Sequence, residues 1–369
     1  MRLQRITYEN FRNHRFLSFE PSAGINLLYG PNGSGKTSVL EGVHFCALTK
    51  GFVSAADNES LSFSQDYFLL NSAFIDEDES EIKIKIVYTK EKEKQIIVNN
   101  SEIKPFSRHI GRIPCITFSP QEIVIVSGAP AERRRFIDNA ISQTDRRYLD
   151  DLLAYRRVLH QRNALLVQLY EQSSPYNDML SLWTEQLSRL AASIVSARIK
   201  FSARFLYHFK DLYSRLSNNE DPSVIYRCSI GKIITGTTLE DLYALFVAKF
   251  QEIEKQEIAR AQTMLGPHRD DLVFLLNEKE IKKYASQGQM RTFLICLKLS
   301  QHRLFEEILG EKPICLLDDL FSALDAERSA AILSILETCG QSIITSAEKK
   351  ELTKLNAISI ESLKKNGAK

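Results

Sequence analysis

The sequence predicts an α/β fold, a mixed sheet with helices, interrupted by an inserted helical lobe that is coiled-coil-like in its pattern. Three observations predict it. Gly30-Pro31-Asn32-Gly33-Ser34-Gly35-Lys36-Thr37 fits the phosphate-loop pattern G-x-x-x-x-G-K-[ST] at every position. The apolar run Pro313-Ile314-Cys315-Leu316-Leu317 ends in two acids, Asp318 and Asp319. Between these motifs, roughly 85 residues from about Pro130 carry apolar side chains at helical spacing.

Leu3 to Tyr8 reads as the first strand. Ile25 to Tyr29 is a short apolar strand that feeds the phosphate loop, and Ser38-Val39-Leu40-Glu41-Gly42-Val43 leaves it in a helical pattern. Glycines let backbone N–H groups converge on phosphate oxygens, and the helix N-terminus adds a positive dipole end. Gly30 to Ser38 are therefore the candidate nucleotide contacts. Lys36 would reach the β- and γ-phosphates, and the Thr37 hydroxyl would ligate Mg²⁺.

Phe68 to Ile75, Glu81 to Tyr88 and Lys94 to Asn99 read as further strands. Ile82-Lys83-Ile84-Lys85-Ile86 alternates, which places its lysines on a solvent face. Another strand, Cys115 to Phe118, ends at Ser119-Pro120. In the helical stretch, Ser173-Ser174-Pro175 supplies an N-cap and first-turn proline. Leu180, Trp183, Leu187, Leu190, Ile194, Ala197 and Phe201 then step by three and four, a heptad seam that continues to Leu216. A helix of about 37 residues would be about 55 Å long. Two readings follow: a projecting antiparallel hairpin or a compact helical subdomain. Asn218 to Pro222 breaks the pattern, and 223–234 reads as one or two strands. A capping box of Thr237 with Glu240 starts a helix that runs to Ala261. Leu272 to Leu276 is a strand, and Gln289 to Glu307 a helix. The expected division is 1–128, 129–262 and 263–369, with the outer parts forming one lobe and the middle the insertion.

A chain of 369 residues suggests roughly two domains. Net charge is only +2, so a polyanion would have to be held by local patches. The six cysteines include no C-x-x-C pair and the seven histidines no metal spacing, which argues against zinc and disulfide frameworks. Met1-Arg2-Leu3-Gln4-Arg5 leads directly into strand pattern rather than a signal peptide. No apolar run approaches the roughly 18 residues of a membrane span, so the expectation is a cytoplasmic protein with no membrane partner.

A phosphate loop needs a magnesium carboxylate from a neighbouring strand. Asp318 would hold the ion, directly or through water, and Asp319 would orient or deprotonate the attacking water. Asp318 lies 282 positions after Lys36, so the two halves must close in space around an insertion. Ser286-Gln287-Gly288-Gln289 stands at a helix start, where a hydroxyl and N–H groups bind a γ-phosphate. A polar helix cap is the alternative. With the turn Leu320 to Asp325, the order of motifs resembles the signature and D-loop (Ser322, Asp325) of ABC-type ATPases. In those, one subunit's signature caps the nucleotide held by the other.

Across nearly its whole length the chain resembles the RecF family, recombination mediator ATPases related to SMC proteins. The matching residues are Tyr8-Glu9-Asn10-Phe11-Arg12-Asn13, Gly30 to Thr37, Phe118-Ser119-Pro120, Gly128-Ala129-Pro130 and Arg133-Arg134-Arg135-Phe136-Ile137-Asp138. Gly266-Pro267-His268-Arg269-Asp270-Asp271-Leu272 and the run Leu316 to Asp325 complete the set. The resemblance implies an ABC-type ATPase head, ATP and Mg²⁺ as cofactors, and an ATP-dependent homodimer with slow hydrolysis. It also implies binding to duplex DNA and to junctions with single strands, and work with RecR and RecO. The setting would be gap repair and recombinase loading during replication and the SOS response, at the nucleoid. Arg12 becomes a further nucleotide candidate, and Gln121 in Ser119-Pro120-Gln121-Glu122 a metal candidate. Asp319 stands where many ABC proteins carry Glu, and no switch histidine occurs in Ile343 to Ala347, leaving Thr345 as candidate there.

Phosphate backbones are held mainly by Lys and Arg. Residues 131–162 hold eight arginines against five acids, and 82–112 eight bases against three acids. Lys83, Lys85, Lys92, Arg134, Arg146 and Arg147 are the candidate DNA contacts, with an ordinary solvated surface as the alternative. A transporter-type ATPase would need a membrane partner and a switch histidine. A small-molecule kinase would leave the heptad seam without a role.

Overall fold

Alternation of apolar and polar residues builds the first sheet. The computed structural model describes residues 1–369 except 54–55, 173–177, 218–219, 235, 323, 350–354 and 368–369. Strands β1 (Arg2–Phe11), β2 (His14–Phe19), β4 (Tyr67–Ile75), β5 (Glu81–Thr89), β6 (Lys94–Val98) and β7 (Ser101–Glu102) pair antiparallel in the order β2-β1-β4-β5-β6-β7. On β5, Ile84 and Ile86 are buried while Lys83 and Lys85 face solvent, the period of two that a half-buried strand requires. Lys94, by contrast, turns inward and pairs with Asp57 at 2.9 Å.

The second sheet is wholly parallel, in the order β14-β3-β13-β12-β8. It comprises β3 (Ile25–Tyr29), β8 (Cys115–Phe118), β12 (Ile314–Leu317), β13 (Ser342–Ser346) and β14 (Asn356–Ser359). All four residues of β12 and all five of β13 are buried, as expected for strands covered on both faces. Helix α1 (Lys36–Leu48) follows β3 and is buried continuously from Ser38 to Ala47. Its Val39, Leu40, Val43 and Phe45 join Tyr8, Phe11, Phe68, Leu316 and Ile343 in one core shared by the two sheets. Gly42 is required there: a Cβ would lie 2.1 Å from the Tyr8 ring, and Tyr8 is pinned by its hydroxyl donating to the Val39 carbonyl at 2.7 Å.

These two sheets belong to a compact unit formed by 1–123, 211–219 and 286–369. Helices α8 (Gln287–Leu309), α9 (Ala326–Leu336) and α10 (Ile360–Gly367) complete it. The other unit comprises 124–210 and 220–285, so it runs to Ala285 rather than stopping at 262. It holds α2 (Val124–Ser127), α3 (Pro130–Thr144), α4 (Arg146–Glu171), most of α5 (Asp178–Leu216), α6 (Leu239–Arg260) and α7 (Ile281–Tyr284). Strands β9 (Pro222–Arg227), β10 (Asp271–Leu276) and β11 (Lys279–Glu280) form its small sheet, in the order β11-β10-β9.

Within this second unit, α5 buries Leu180, Leu187, Ile194, Phe201, Phe205 and Phe209 from the heptad seam. The Ser173 to Pro175 signal lies outside the described residues. The α6 cap is Thr238 with Asp241, one position later than Thr237 with Glu240; both threonines offer a hydroxyl, and register decides which one meets the N3 amide. Charged residues knit the helices together. Arg162 of α4 pairs with Glu257 of α6 at 2.6 Å, both completely buried, and also donates to Thr184 and Thr263. Arg198 of α5 pairs with Asp138 at 2.7 Å and donates to the Pro267 carbonyl. Thus the Gly266 to Asp271 stretch is an internal polar anchor of this unit: Asp271 pairs with Arg133 at 2.8 Å, and Asp270 accepts from the Ser229 N–H at 2.6 Å.

Candidate functional site

The carboxyl ends of parallel strands are where an open α/β sheet leaves backbone N–H groups and loops free for a ligand. At the end of β3, Gly30, Gly33 and Gly35 adopt φ of 155°, 74° and 101°. The last two lie in the left-handed region that disfavours other residues. The chain can therefore coil tightly before α1 starts at Lys36 without a side-chain cap on its first N–H groups. The Ser34 hydroxyl is buried with no hydrogen-bond partner, and Lys36 Nζ folds back to the carbonyls of Gly30 and Pro31 at 2.7 and 2.8 Å. A hydroxyl and an ammonium gathered at the uncapped start of a helix suit a phosphate anion.

Strand β13 lies between β3 and β12, so it bridges the two halves of the site. Leu317 of β12 is in register with Ile344, and Thr345 with Leu28 of β3. Two positions of sequence thus meet across 281 residues: the Thr37 hydroxyl donates to Asp318 Oδ1 at 2.9 Å. Thr345 closes the arrangement. Its hydroxyl donates to Asp318 Oδ1 at 2.6 Å and accepts from the Asp319 N–H at 2.9 Å. Asp319 has φ of 47°, a left-handed conformation for a residue other than glycine, and this kink turns it out of the strand. Burial pushes the Asp318 carboxyl above its ordinary pKa, against the opposing hydrogen bonds from Thr345 and Thr37. Burial likewise lowers Lys36, against the attraction of Asp318 and Asp319.

These residues line one cavity of about 300 Å³. Asn32, Gly33, Gly35, Lys36, Thr37 and Ser38 form one wall, Asp318, Asp319 and Thr345 another, and Pro120 with Gln121 a third. A hydroxyl and a carboxylate facing each other are hard oxygen donors, and a third candidate oxygen at Gln121 lies on the same cavity. That donor set fits Mg²⁺.

The structure adds Asn13, His14 and Ala347, which the sequence motifs do not mark as site residues. Asn13 and Ala347 line the cavity. The β1–β2 turn presses onto the phosphate loop: Asn13 Nδ2 lies 3.5 Å from the Gly33 carbonyl, and His14 Nε2 donates to the Gly35 carbonyl at 2.9 Å. A Cβ at position 35 would approach both side chains to 2.6 Å. The available signal was the polar pair Arg12-Asn13 between two strand-like runs. Arg12 itself, with φ of 52°, is committed elsewhere, pairing with the buried Glu41.

Ser286 to Gln289 do not line the cavity. Ser286 caps α8 in a capping box: its hydroxyl accepts from the Gln289 N–H, and Gln289 Oε1 accepts from the Ser286 N–H. Ser286, Gln287 and Ser322 are exposed. Asp325 caps α9, accepting from the Arg328 N–H at 2.7 Å. Among the candidate DNA contacts, Lys85, Lys92 and Arg147 are exposed. Lys83 pairs with Glu81 and Arg146 with Asp150 on the surface, and Arg134 donates to the Asp270 carbonyl.

The chain is similar to known proteins over nearly its full length. The profile of a family described as an AAA domain matches residues 5–366. "DNA replication and repair protein RecF" of Chlorobium phaeovibrioides is 57% identical over 350 residues, covering 95% of this chain and 94% of its own. Its counterpart in Chlorobium luteolum is 52% identical, with 98% of each chain covered. Among solved structures, "the recombination mediator protein RecF-ATP in RecFOR pathway" superposes with a TM-score of 0.89 at 32% identity, over 95% of this chain and 93% of that one. An Smc head bound to the C-terminal winged-helix domain of ScpA shares the fold at a TM-score of 0.56 and 11% identity, over 95% of this chain and 90% of that one. No helix among the described residues is long and apolar enough to cross a membrane.

Proposed function

The chain belongs to the RecF family, and from that premise we propose that it is an ATP-gated DNA-binding protein of recombinational repair. ATP would bind with its phosphates on the Gly30 to Ser38 loop, Lys36 turning from the Gly30 and Pro31 carbonyls to the β- and γ-phosphates. Thr37 and Asp318, with Gln121 beside them, would hold Mg²⁺, which neutralises phosphate charge when bound. Asp319, turned out of the strand by its left-handed backbone, orients or deprotonates the attacking water. Thr345 fixes both acids relative to one another.

One observation carries the dimer reading. The cavity collects the phosphate loop and both acids, yet Ser286 to Gln289 do not line it, and Ser286 and Gln287 are exposed. A second copy would supply them, capping the γ-phosphate with a hydroxyl and the α8 N-terminus, with Ser322 and Asp325 at the same junction. Nucleotide would thus close a homodimer around DNA and slow hydrolysis would reopen it, in partnership with RecR and RecO at gapped DNA of the cytoplasmic nucleoid. Duplex or junction backbones would be held by Lys83, Lys85, Lys92, Arg134, Arg146 and Arg147, with weak DNA stimulation of turnover. The transporter and kinase readings are not retained, because the relatives matched over nearly the full chain are repair proteins.

The test is light scattering of wild type, Lys36→Arg and Asp319→Asn with and without ATP, followed by gel shifts on duplex, single-stranded and gapped DNA. Asp319→Asn should stay dimeric in ATP and hold DNA, while Lys36→Arg should remain monomeric. An Asp319→Asn protein that is monomeric in saturating ATP sinks the mechanism.

A further inference from the structure

We propose that Glu122 and Lys298 are positioning residues that tie occupancy of the nucleotide cavity to helix α8, which presents Ser286 and Gly288. The inference rests on the nucleotide reading of the cavity and adds a route out of it. In the turn after β8, Pro120 and Gln121 line the cavity, while the next residue pairs with Lys298 of α8. Glu122 is held twice. Its Oε2 accepts from the Ser119 N–H at 3.0 Å, and its Oε1 accepts from Lys298 Nζ at 2.5 Å.

Lys298 is 6% exposed and sits on α8. A buried ammonium needs a counter-charge, and this pair ties the turn to the helix by a charge-assisted hydrogen bond. Lys298 lies 12 residues beyond Ser286 on one uninterrupted helix, about 18 Å along its axis. A helix is stiff over that distance, so a displacement imposed at Lys298 is carried to the N-terminal turn.

Room for such a displacement exists. Between the turn and α8 is a second cavity of about 20 Å³, bordered by Pro120, Ile123, Leu294, Ile295 and Asp319. It is about the size of one water. Packing between the turn and α8 therefore leaves a small gap. The ion pair fixes one point at which the two elements meet. A ligand drawing Gln121 inward pulls Glu122 with it, and the pair passes that motion to α8.

Wild type, Lys298→Met, Glu122→Gln and Lys298→Arg should be compared in two assays. One is affinity for a fluorescent ATP analogue, and the other is ATP-dependent self-association by light scattering. Lys298→Met and Glu122→Gln are expected to bind nucleotide within about twofold of wild type and to associate about tenfold more weakly. Lys298→Arg, which keeps the charge, should restore association, as a purely structural stem would not require. Association equal to wild type in Lys298→Met overturns the inference, as does a parallel loss of nucleotide affinity. A wild type that binds nucleotide without associating also overturns it, whereas a wild type that binds none overturns the functional reading and this inference together. Circular dichroism of each variant separates these outcomes from misfolding, and a misfolded Lys298→Met leaves Glu122→Gln and Lys298→Arg to decide.

Discussion

Replacing Thr345 with valine removes one oxygen from the centre of the site and leaves the side chain's shape nearly unchanged. That oxygen makes two hydrogen bonds, to Asp318 Oδ1 at 2.6 Å and from the Asp319 N–H at 2.9 Å. Thr345 is 1% exposed, so water cannot take its place. A hydrogen bond to a charged group is worth about 1.5–3 kcal/mol, and a stranded buried N–H costs about 1–3 kcal/mol. If the protein kept its geometry, the loss would be about 2.5–6 kcal/mol on those figures. The kink at Asp319 is the softer element, so we expect part of the loss to appear as a relaxed backbone. Stability should fall by about 2 kcal/mol, which for a large domain is a drop in Tm of roughly 4–8 °C. Because Asp319 then points differently, turnover should fall about 100-fold, the cost of misplacing a reacting group by about 1 Å. Differential scanning calorimetry and a phosphate-release assay read the two effects. Thr345→Ser, which retains the hydroxyl, should recover most of both. A valine variant with wild-type Tm and turnover within twofold of wild type would falsify the bridging role.

Two further predictions concern the helical unit. Burial holds the His268 pKa down at about 4, and Tyr155 and Thr263 contact its ring. Between that value and the unfolded value of about 6.5 the unfolded chain binds more protons, so stability falls as pH drops through this window. His268→Gln should flatten the slope in thermal melts between about pH 4 and about pH 7; an unchanged slope removes His268 as its source. The fully buried Arg162–Glu257 pair predicts that Arg162→Met costs about 3–5 kcal/mol, by stranding the carboxylate. The double variant with Glu257→Leu should regain much of that loss in urea unfolding, and additive losses would show that the two charges are not coupled.

What the sequence disclosed follows from how local each signal is. The phosphate loop, the strand before it and the apolar run before Asp318 are contiguous, and each appears in the structure where its pattern places it. The heptad seam is visible because burial on α5 repeats within single turns. The role of β13 is not visible in that way. Ile343-Ile344-Thr345 is a short apolar run like several others, and only strand order reveals that it bridges β3 and β12. Asn13 and His14 escape for the same reason: their contacts with Gly33 and Gly35 come from a turn on another sheet. The α6 cap moved by one residue because Thr237 and Thr238 are chemically equivalent candidates, and helix register alone selects between them.

The strand order has a consequence for the protein during its own synthesis. Strand β3 lies between β13 and β14, and both of its neighbours follow it by more than 300 residues. At cellular rates of about 5–20 residues per second, roughly 15–60 s separate the appearance of β3 from that of its neighbours. For that interval β3 has two open edges, and for most of it the phosphate loop has no opposing acids. The nascent chain would therefore carry an apolar strand liable to pair wrongly, and ATP could not act as a folding template until β12, β13 and β14 had been made. Ribosome-bound fragments ending before β13 should be protease-sensitive around β3 and bind ATP poorly, although the whole phosphate loop is already present.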